Sequence, residues 1–96
     1  MKYNAAQKAY EISPEGQVKE LSFTLKAHKE SPIVNPAFVI EGWGKEDVIL
    51  SVNGKEIARG KDFRYGFRDQ LNGIDLVSWV RFESEKETTF TITKDN

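Results

Sequence analysis

The chain has 96 residues, contains no cysteine and carries a formal net charge of -1 at pH 7. A chain of this length has room for one domain and one core, but not for a core plus a deep substrate cavity, so its size disfavours an enzyme. The balanced charge excludes an overall field that would recruit nucleic acid or an acidic membrane. The absence of cysteine excludes disulfides and thiolate metal sites.

Targeting signals are missing from the printed residues. No apolar run approaches the ~20 residues of a membrane helix, so we expect no membrane insertion. Residues Met1 to Tyr10 lack the apolar region of a signal peptide. We therefore expect either a cytoplasmic protein or a domain excised from a longer chain, which would then be secreted or periplasmic. We expect a monomer with no nucleic-acid partner.

The N-terminal part of the chain has the weakest structural pattern, with a turn signal at residues 13–16. We predict a flexible or extended segment over residues 1–17 and one β-sandwich domain over residues 18–96, with the ordered core beginning near Val18. Residues 21–28 then alternate apolar and polar side chains, which predicts a strand buried on one face.

Two further runs predict strands later in the chain. Residues 37–40 are apolar on both faces, as in a central strand. Residues 88–93 alternate apolar side chains with threonines, which are favoured on a pleated surface. No long segment has the period of a helix. The many short strands separated by turn signals predict an all-β fold, an immunoglobulin-like antiparallel β-sandwich of seven to eight strands.

Asn53-Gly54 is the strongest short hairpin signal in the chain. A two-residue type I′ loop there predicts three cross-strand pairs: Val52 with Lys55, Leu50 with Ile57, and Ile49 with Ala58. A slip of one residue would place Leu50 opposite a charged side chain, so the hydrophobic pattern supports this register.

A second Asn-Gly pair at residues 72 and 73 predicts another hairpin by the same rule. The resulting pairs are Leu71 with Ile74, Asp69 with Leu76, Phe67 with Ser78, Tyr65 with Val80, and Phe63 with Phe82. One face of this hairpin is therefore apolar, and we expect it to be buried. Its members are Phe63, Tyr65, Phe67, Val80 and Phe82.

The other face of this hairpin contains a tryptophan and several arginines. The predicted register places Gly66 opposite Trp79, Arg64 opposite Arg81, and Arg68 opposite Val77. In a structural interpretation, Trp79 covers Gly66 and an arginine stacks on the indole. In a functional interpretation, Trp79 is a flat apolar platform for a sugar ring. Its polar partners would then donate to hydroxyls, carboxylates or sulfates, and they are Arg64, Arg68 and Arg81.

The remaining candidate residues give weaker signals. Trp43 lies between two glycines and either covers the edge of the core or forms a second platform. His28 is the only histidine, and we expect it to be solvated. Glu83, Glu85 and Glu87 form a solvated acidic rim, because no calcium-binding loop accompanies them. We predict no catalytic residue, no metal site and no cofactor.

Five short motifs carry a family resemblance: residues 35–40, 43–44, 53–55, 60–64 and 76–79. Together they resemble the β-sandwich domains appended to secreted bacterial polysaccharide-processing proteins, over about residues 32–93. The resemblance implies an accessory role, in which the domain supports an adjacent catalytic domain or holds the polymer. It does not identify the positions that contact a ligand.

Two functions follow as expectations. The first is a non-catalytic accessory domain that has a structural role or binds carbohydrate, with a polysaccharide or an adjacent catalytic domain as partner. The alternative is a protein-interaction module that adds a partner strand to an exposed sheet edge. An unpaired and uncharged first or last strand would favour the alternative, and an edge blocked by lysine or proline would count against it.

Overall fold

The structure is a computed structural model, and it describes residues 1–14, 16, 19–71 and 73–95. These residues form β-strands and no helix, so the all-β prediction is confirmed. The β-segments are β1 (Lys2–Asn4), β2 (Ala9–Ile12), β3 (Glu20–Leu25), β4 (Ile33–Val34), β5 (Ala37–Ile40), β6 (Asp47–Val52), β7 (Lys55–Ile57), β8 (Phe63–Gln70), β9 (Gly73–Val80), β10 (Glu83–Ser84) and β11 (Thr88–Asp95).

The strands form two facing sheets. One has five strands in the order β1-β2-β5-β9-β8, and the other has four in the order β3-β11-β6-β7. A two-stranded ladder joins β4 and β10. Neighbouring strands run antiparallel, except that β2 runs parallel to β5. No described residue belongs to a helix long and apolar enough to cross a membrane.

Phe38 lies at the centre of the core between the sheets. Its ring packs against Phe23 of β3 and Phe90 of β11, with ring centroids 4.8 and 5.2 Å apart. Tyr10 of β2 packs beside it at 5.8 Å. Both sheets contribute residues to the core, because alternate residues of each strand point toward the facing sheet. Its buried members are Ile12, Leu25, Ile33, Phe38, Ile40, Trp43, Val48, Leu50, Val52, Phe63, Tyr65, Leu76, Val80, Phe90 and Ile92.

The N-terminal residues belong to the sandwich, which corrects the predicted beginning of the ordered core near residue 18. Strands β1 and β2 form a hairpin, and β2 extends the sheet beside β5. Ile12 is buried in the core. The four-residue β2 is too short for its alternation to be recognised in the sequence. Two residues named in these predictions lie outside the described residues: Val18, where the core is predicted to begin, and Glu15, which is part of the predicted turn.

The register of the first hairpin is confirmed for its two inner pairs, Val52 with Lys55 and Leu50 with Ile57. The third predicted pair, at residues 49 and 58, is not formed because β7 ends at Ile57.

The turn of this hairpin has the backbone that a type I′ loop needs. Asn53 and Gly54 have φ values of 51° and 84°, both positive. The Asn53 side-chain oxygen accepts a hydrogen bond from the Thr89 N–H at 2.9 Å, and the Asn53 N–H donates to the Thr89 carbonyl at 2.8 Å. The turn is therefore anchored to β11.

The second hairpin has a different register from the predicted one. Gln70 pairs with Gly73, so the connection lies at residues 71–72 rather than 72–73. Asn72 itself is outside the described residues. The observed pairs are Phe63 with Val80, Arg64 with Trp79, Tyr65 with Ser78, Gly66 with Val77, Phe67 with Leu76, Arg68 with Asp75, and Asp69 with Ile74. The shift is two residues, so each side chain stays on its predicted face while its partner changes.

The observed register has the more favourable charge pairing. The predicted pairing sets Arg64 opposite Arg81, and like charges directly opposite each other destabilise a sheet. The observed pairing instead sets Arg68 opposite Asp75, which forms a salt bridge of 3.4 Å.

The predicted apolar face of this hairpin is mostly buried. Phe63, Tyr65 and Val80 are buried, and Phe82 packs partly buried against the core. Phe67 is the exception, because it lies on the edge strand β8 and 38% of it is exposed.

We predict opposite effects of the same substitution at two glycines. Gly54→Ala forces a side chain into the left-handed region and lowers the free energy of unfolding by about 1 to 2 kcal/mol. Gly66→Ala in β8 raises it by about 0.5 kcal/mol, because Gly66 has an ordinary extended backbone, and a Cβ there meets nothing within 4 Å. Urea denaturation measures both. A destabilising Gly66→Ala would show that a neighbouring side chain covers this glycine.

Candidate functional site

The outer face of the five-stranded sheet carries an exposed tryptophan. Trp79 of β9 is 51% exposed. Its cross-strand neighbours are Arg64 of β8 on one side and Ala37 of β5 on the other. Directly paired residues point to the same face of a sheet, so all three face away from the four-stranded sheet. The small Ala37 leaves one side of the indole uncrowded.

An open groove of about 880 Å³ lies beside Trp79. Its lining residues are Asn35, Gly60, Lys61, Asp62, Phe63, Arg64, Trp79, Val80 and Arg81. The loop before β8 is held by main-chain hydrogen bonds from Gly60 N–H to the Phe63 carbonyl at 2.7 Å and from Arg81 N–H to the Asp62 carbonyl at 2.8 Å. The groove is therefore shaped by the backbone and not only by mobile side chains.

Three cations surround the groove against one carboxylate. Lys61, Arg64 and Arg81 are exposed, and Asp62 is the acidic residue among them. The ion pairs among the described residues are Arg68 with Asp75 and Lys94 with Glu46. None of the three groove cations takes part in an ion pair within that part of the chain. Among the described residues, no carboxylate competes with a ligand for their donors.

Asn35 contributes a further donor to the groove. Its side-chain oxygen accepts a hydrogen bond from the Phe82 N–H at 3.0 Å, which fixes the orientation of the amide. The amide nitrogen has no hydrogen-bond partner among the described residues. Sequence reasoning identified neither Asn35 nor Lys61 as a site residue. Asn35-Pro36 and Gly60-Lys61 signal turns, but a turn signal does not show which side chains a loop brings together.

Arg68 lies apart from the other arginines of the predicted site. It forms a salt bridge with Asp75, which is only 7% exposed and also accepts a hydrogen bond from the Gly42 N–H at 3.2 Å. Arg64 is the cross-strand partner of Trp79. Arg68 lies four residues after Arg64 in β8, which is about 13 Å along the strand. Its role is to compensate a buried carboxylate.

The structural interpretation of Trp79 finds no support in the observed register. Gly66 lies opposite Val77, and its open Cβ position shows that no indole covers it. The cation-π contacts among the described residues are Arg59 over Tyr65 at 4.0 Å and a lysine over Trp43, so neither involves Trp79. Trp79 thus has no cation-π partner in the described part of the molecule, and about half of it is exposed.

Trp43 is part of the core, which corrects its assignment to a binding surface. It is 2% exposed, and its indole N–H donates to the Glu46 carbonyl at 3.0 Å. The Lys94 ammonium lies 5.1 Å from the centre of the ring. Of the two alternatives for Trp43, the structure shows the covering of the core edge.

The other titratable residues do not assemble near the groove. His28 is exposed and pairs with Ser31 across a tight turn. Glu83, Glu85 and Glu87 are exposed. Within residues 1–14, 16, 19–71 and 73–95, no group of three or more His, Cys, Asp and Glu side chains is arranged to hold a metal ion.

Comparisons with protein-family models, with curated proteins and with solved structures give no significant match. The resemblance to accessory domains therefore stays a prediction, and the site is interpreted from its own geometry.

We predict that the two tryptophans respond differently to substitution. Trp43→Ala lowers the free energy of unfolding by about 3 to 5 kcal/mol, because it empties a core position. Trp79→Ala changes it by about 1 kcal/mol or less, as expected for a surface residue. Thermal or urea unfolding measures the difference.

Acrylamide quenching provides a second measurement for conservative variants. Trp79→Phe should remove most of the quenchable fluorescence, whereas Trp43→Phe should leave it. Equal quenching of the two variants would contradict the assigned exposures.

Proposed function

We propose that this chain is a non-catalytic accessory domain of a larger secreted protein, and that it binds carbohydrate across the groove beside Trp79. The observation that carries the proposal is the half-exposed indole on a sheet face, bordered by cations that have no ion-pair partner among the described residues. The family resemblance supports the accessory role. We also propose an immunoglobulin-like sandwich, in which seven described strands have four or more residues.

The chemistry of the groove is suited to a sugar ring. An indole presents a flat apolar face against which the C–H groups of a pyranose can pack, while its edge stays hydrated. Arg64 and Arg81 supply forked donors to hydroxyl or acidic groups. The amide nitrogen of Asn35, which has no hydrogen-bond partner among the described residues, supplies a neutral donor. Because the groove is open and lies on a sheet face, it suits an extended polymer that passes over the surface.

A structural role beside a catalytic domain is part of the same proposal. The outer face of the five-stranded sheet has half-buried apolar residues next to Trp79, which are Ala37 and Val77. A neighbouring domain could rest on the part of this face that a polymer does not use. The groove residues lie at one end of the sheet, so the two uses are compatible.

We predict that Trp79 determines polysaccharide binding. Trp79→Ala should lower affinity for a bound polysaccharide about 5- to 150-fold, because removing one stacked ring costs about 1 to 3 kcal/mol. Affinity electrophoresis against neutral and acidic polysaccharides identifies a polysaccharide that binds, and NMR titration locates its binding site on the protein. A matched control is Tyr3→Ala, which removes another half-exposed aromatic side chain, 53% exposed on β1.

Binding that is equally weakened by both variants, or resonance shifts distant from Trp79, would contradict the site. The absence of any perturbation around Trp79 with all polymers would remove the carbohydrate-binding part of the proposal. The structural role would then remain.

The alternative, a module that adds a partner strand, is favoured by β3. This strand lies at an edge of the four-stranded sheet, and residues 21–25 within it are uncharged. The last strand of the chain, β11, is central in that sheet and therefore has no unpaired edge. Within this sheet, β3 is the strand that meets the criterion of an unpaired and uncharged edge. The other sheet's edge at β8 is partly occupied, because the Tyr65 carbonyl accepts from Arg59 at 3.2 Å.

A peptide that copies residues 19–27 tests whether the β3 edge accepts a strand. Antiparallel pairing about Phe23 would set Leu21 opposite Leu25 and Glu20 opposite Lys26, which matches apolar side chains and opposite charges. We predict slower hydrogen exchange at β3 amides when this peptide is added in excess. A peptide with proline in place of Phe23 is the control. Unchanged exchange with both peptides would count against the alternative.

A further inference from the structure

We infer that the groove beside Trp79 binds a sugar that carries a carboxylate or sulfate group, so that the natural ligand is an acidic polysaccharide. The inference rests on the proposed carbohydrate-binding function and adds the charge of the ligand. The outer face of the sheet, and not the protein as a whole, carries the relevant field, since the formal net charge is only -1.

The distribution of charge around the groove is the first observation. Lys61, Arg64 and Arg81 line it together with the single carboxylate of Asp62, which leaves a local formal excess of two positive charges (three minus one). None of the three cations has an ion-pair partner in the described part of the chain. The chain contains 15 Asp and Glu residues, so acidic partners are abundant in the sequence. An anionic ligand would be the ion-pair partner that these acidic residues do not provide to the groove cations.

The opposite end of the same sheet face is the second observation. There Arg68 is engaged by the buried Asp75, and Glu41 accepts a hydrogen bond from the Ser13 hydroxyl at 2.6 Å. Two carboxylates and one guanidinium give that end a formal charge of -1. The two ends are separated by about 13 Å, which exceeds the ~8 to 10 Å screening length at physiological ionic strength. An acidic group is therefore attracted to the end that holds Trp79.

The geometry of the donors favours an acidic sugar over other polyanions. Guanidinium groups match the oxygens of a carboxylate or sulfate with two parallel hydrogen bonds. A single exposed indole next to them allows one ring to stack at a time. A surface for single-stranded nucleic acid instead places several aromatic rings in succession along a basic groove. On this face of the described strands, Trp79 is the sole aromatic side chain.

The test compares one polymer in two charge states. Polygalacturonate carries a carboxylate on each sugar, and its methyl ester has the same backbone without the charge. The full chain should bind polygalacturonate at least tenfold more tightly than the ester. If carboxylates do not suit the groove, dextran sulfate against dextran provides the equivalent pair, with the same expected ratio.

Substitutions then assign the preference to the groove. Arg64→Gln and Arg81→Gln should each lower affinity for the acidic polymer about five- to twentyfold and reduce the slope of log affinity against log salt by about one. Arg64→Lys should restore part of the affinity. Lys55→Gln, an exposed cation on the opposite sheet, is the matched control and should change neither quantity beyond a small uniform effect.

The outcomes separate this inference from the proposed function. Equal affinity for the charged and neutral members of both pairs, with loss on Trp79→Ala, would overturn the acidic ligand and leave carbohydrate binding in place. No binding to any of the four polymers would overturn both this inference and the carbohydrate-binding part of the proposed function. Binding to a single-stranded oligonucleotide as tight as to the acidic polymers would overturn the assignment to acidic sugars, as would affinity that Arg64→Gln and Arg81→Gln do not change.

Discussion

The packing of Phe38 between the sheets is the interaction on which the rest of the structure depends. Its ring meets Phe23 and Phe90 of the facing sheet, and its strand β5 joins the N-terminal hairpin to β9. Side chains alternate along a strand, so an inward Phe38 turns its neighbour Ala37 outward. The pairing of Ala37 with Trp79 turns the indole outward too. The same contact that forms the core therefore exposes the candidate site.

The faces of the strands could be predicted from the sequence, whereas the partners of individual residues could not. Alternation places Arg64 and Trp79 on the outer face whatever the register, provided that any slip is even. The Asn-Gly rule then misplaced the second turn by one residue and the pairs by two. A turn rule is local, whereas the observed register also brings Arg68 opposite Asp75 across the strands. That contact becomes visible only when the partner strand is in place.

Residues on loops and in short strands were beyond prediction for a related reason. Asn35 and Lys61 come together because main-chain hydrogen bonds hold their loops near the end of β9, and no sequence pattern encodes such contacts. Trp43 has glycines on both sides with positive φ, and this local conformation allows either an inward or an outward ring. Its burial depends on the distant Lys94 and on a hydrogen bond to Glu46.

The contrast between Arg68 and Arg64 gives the strongest physical reason to regard the groove as a binding site. Both lie on the outer face of β8, and the sequence predicts the same ligand-binding role for both. Arg68 compensates a carboxylate that is buried, and removing a partner from a buried charge is costly. Arg64 compensates no carboxylate among the described residues, and it lines the groove together with two other cations. The repulsion among the three positive charges slightly opposes folding. A fold gains nothing from that arrangement by itself, and an anion bound against Trp79 would turn the repulsion into attraction.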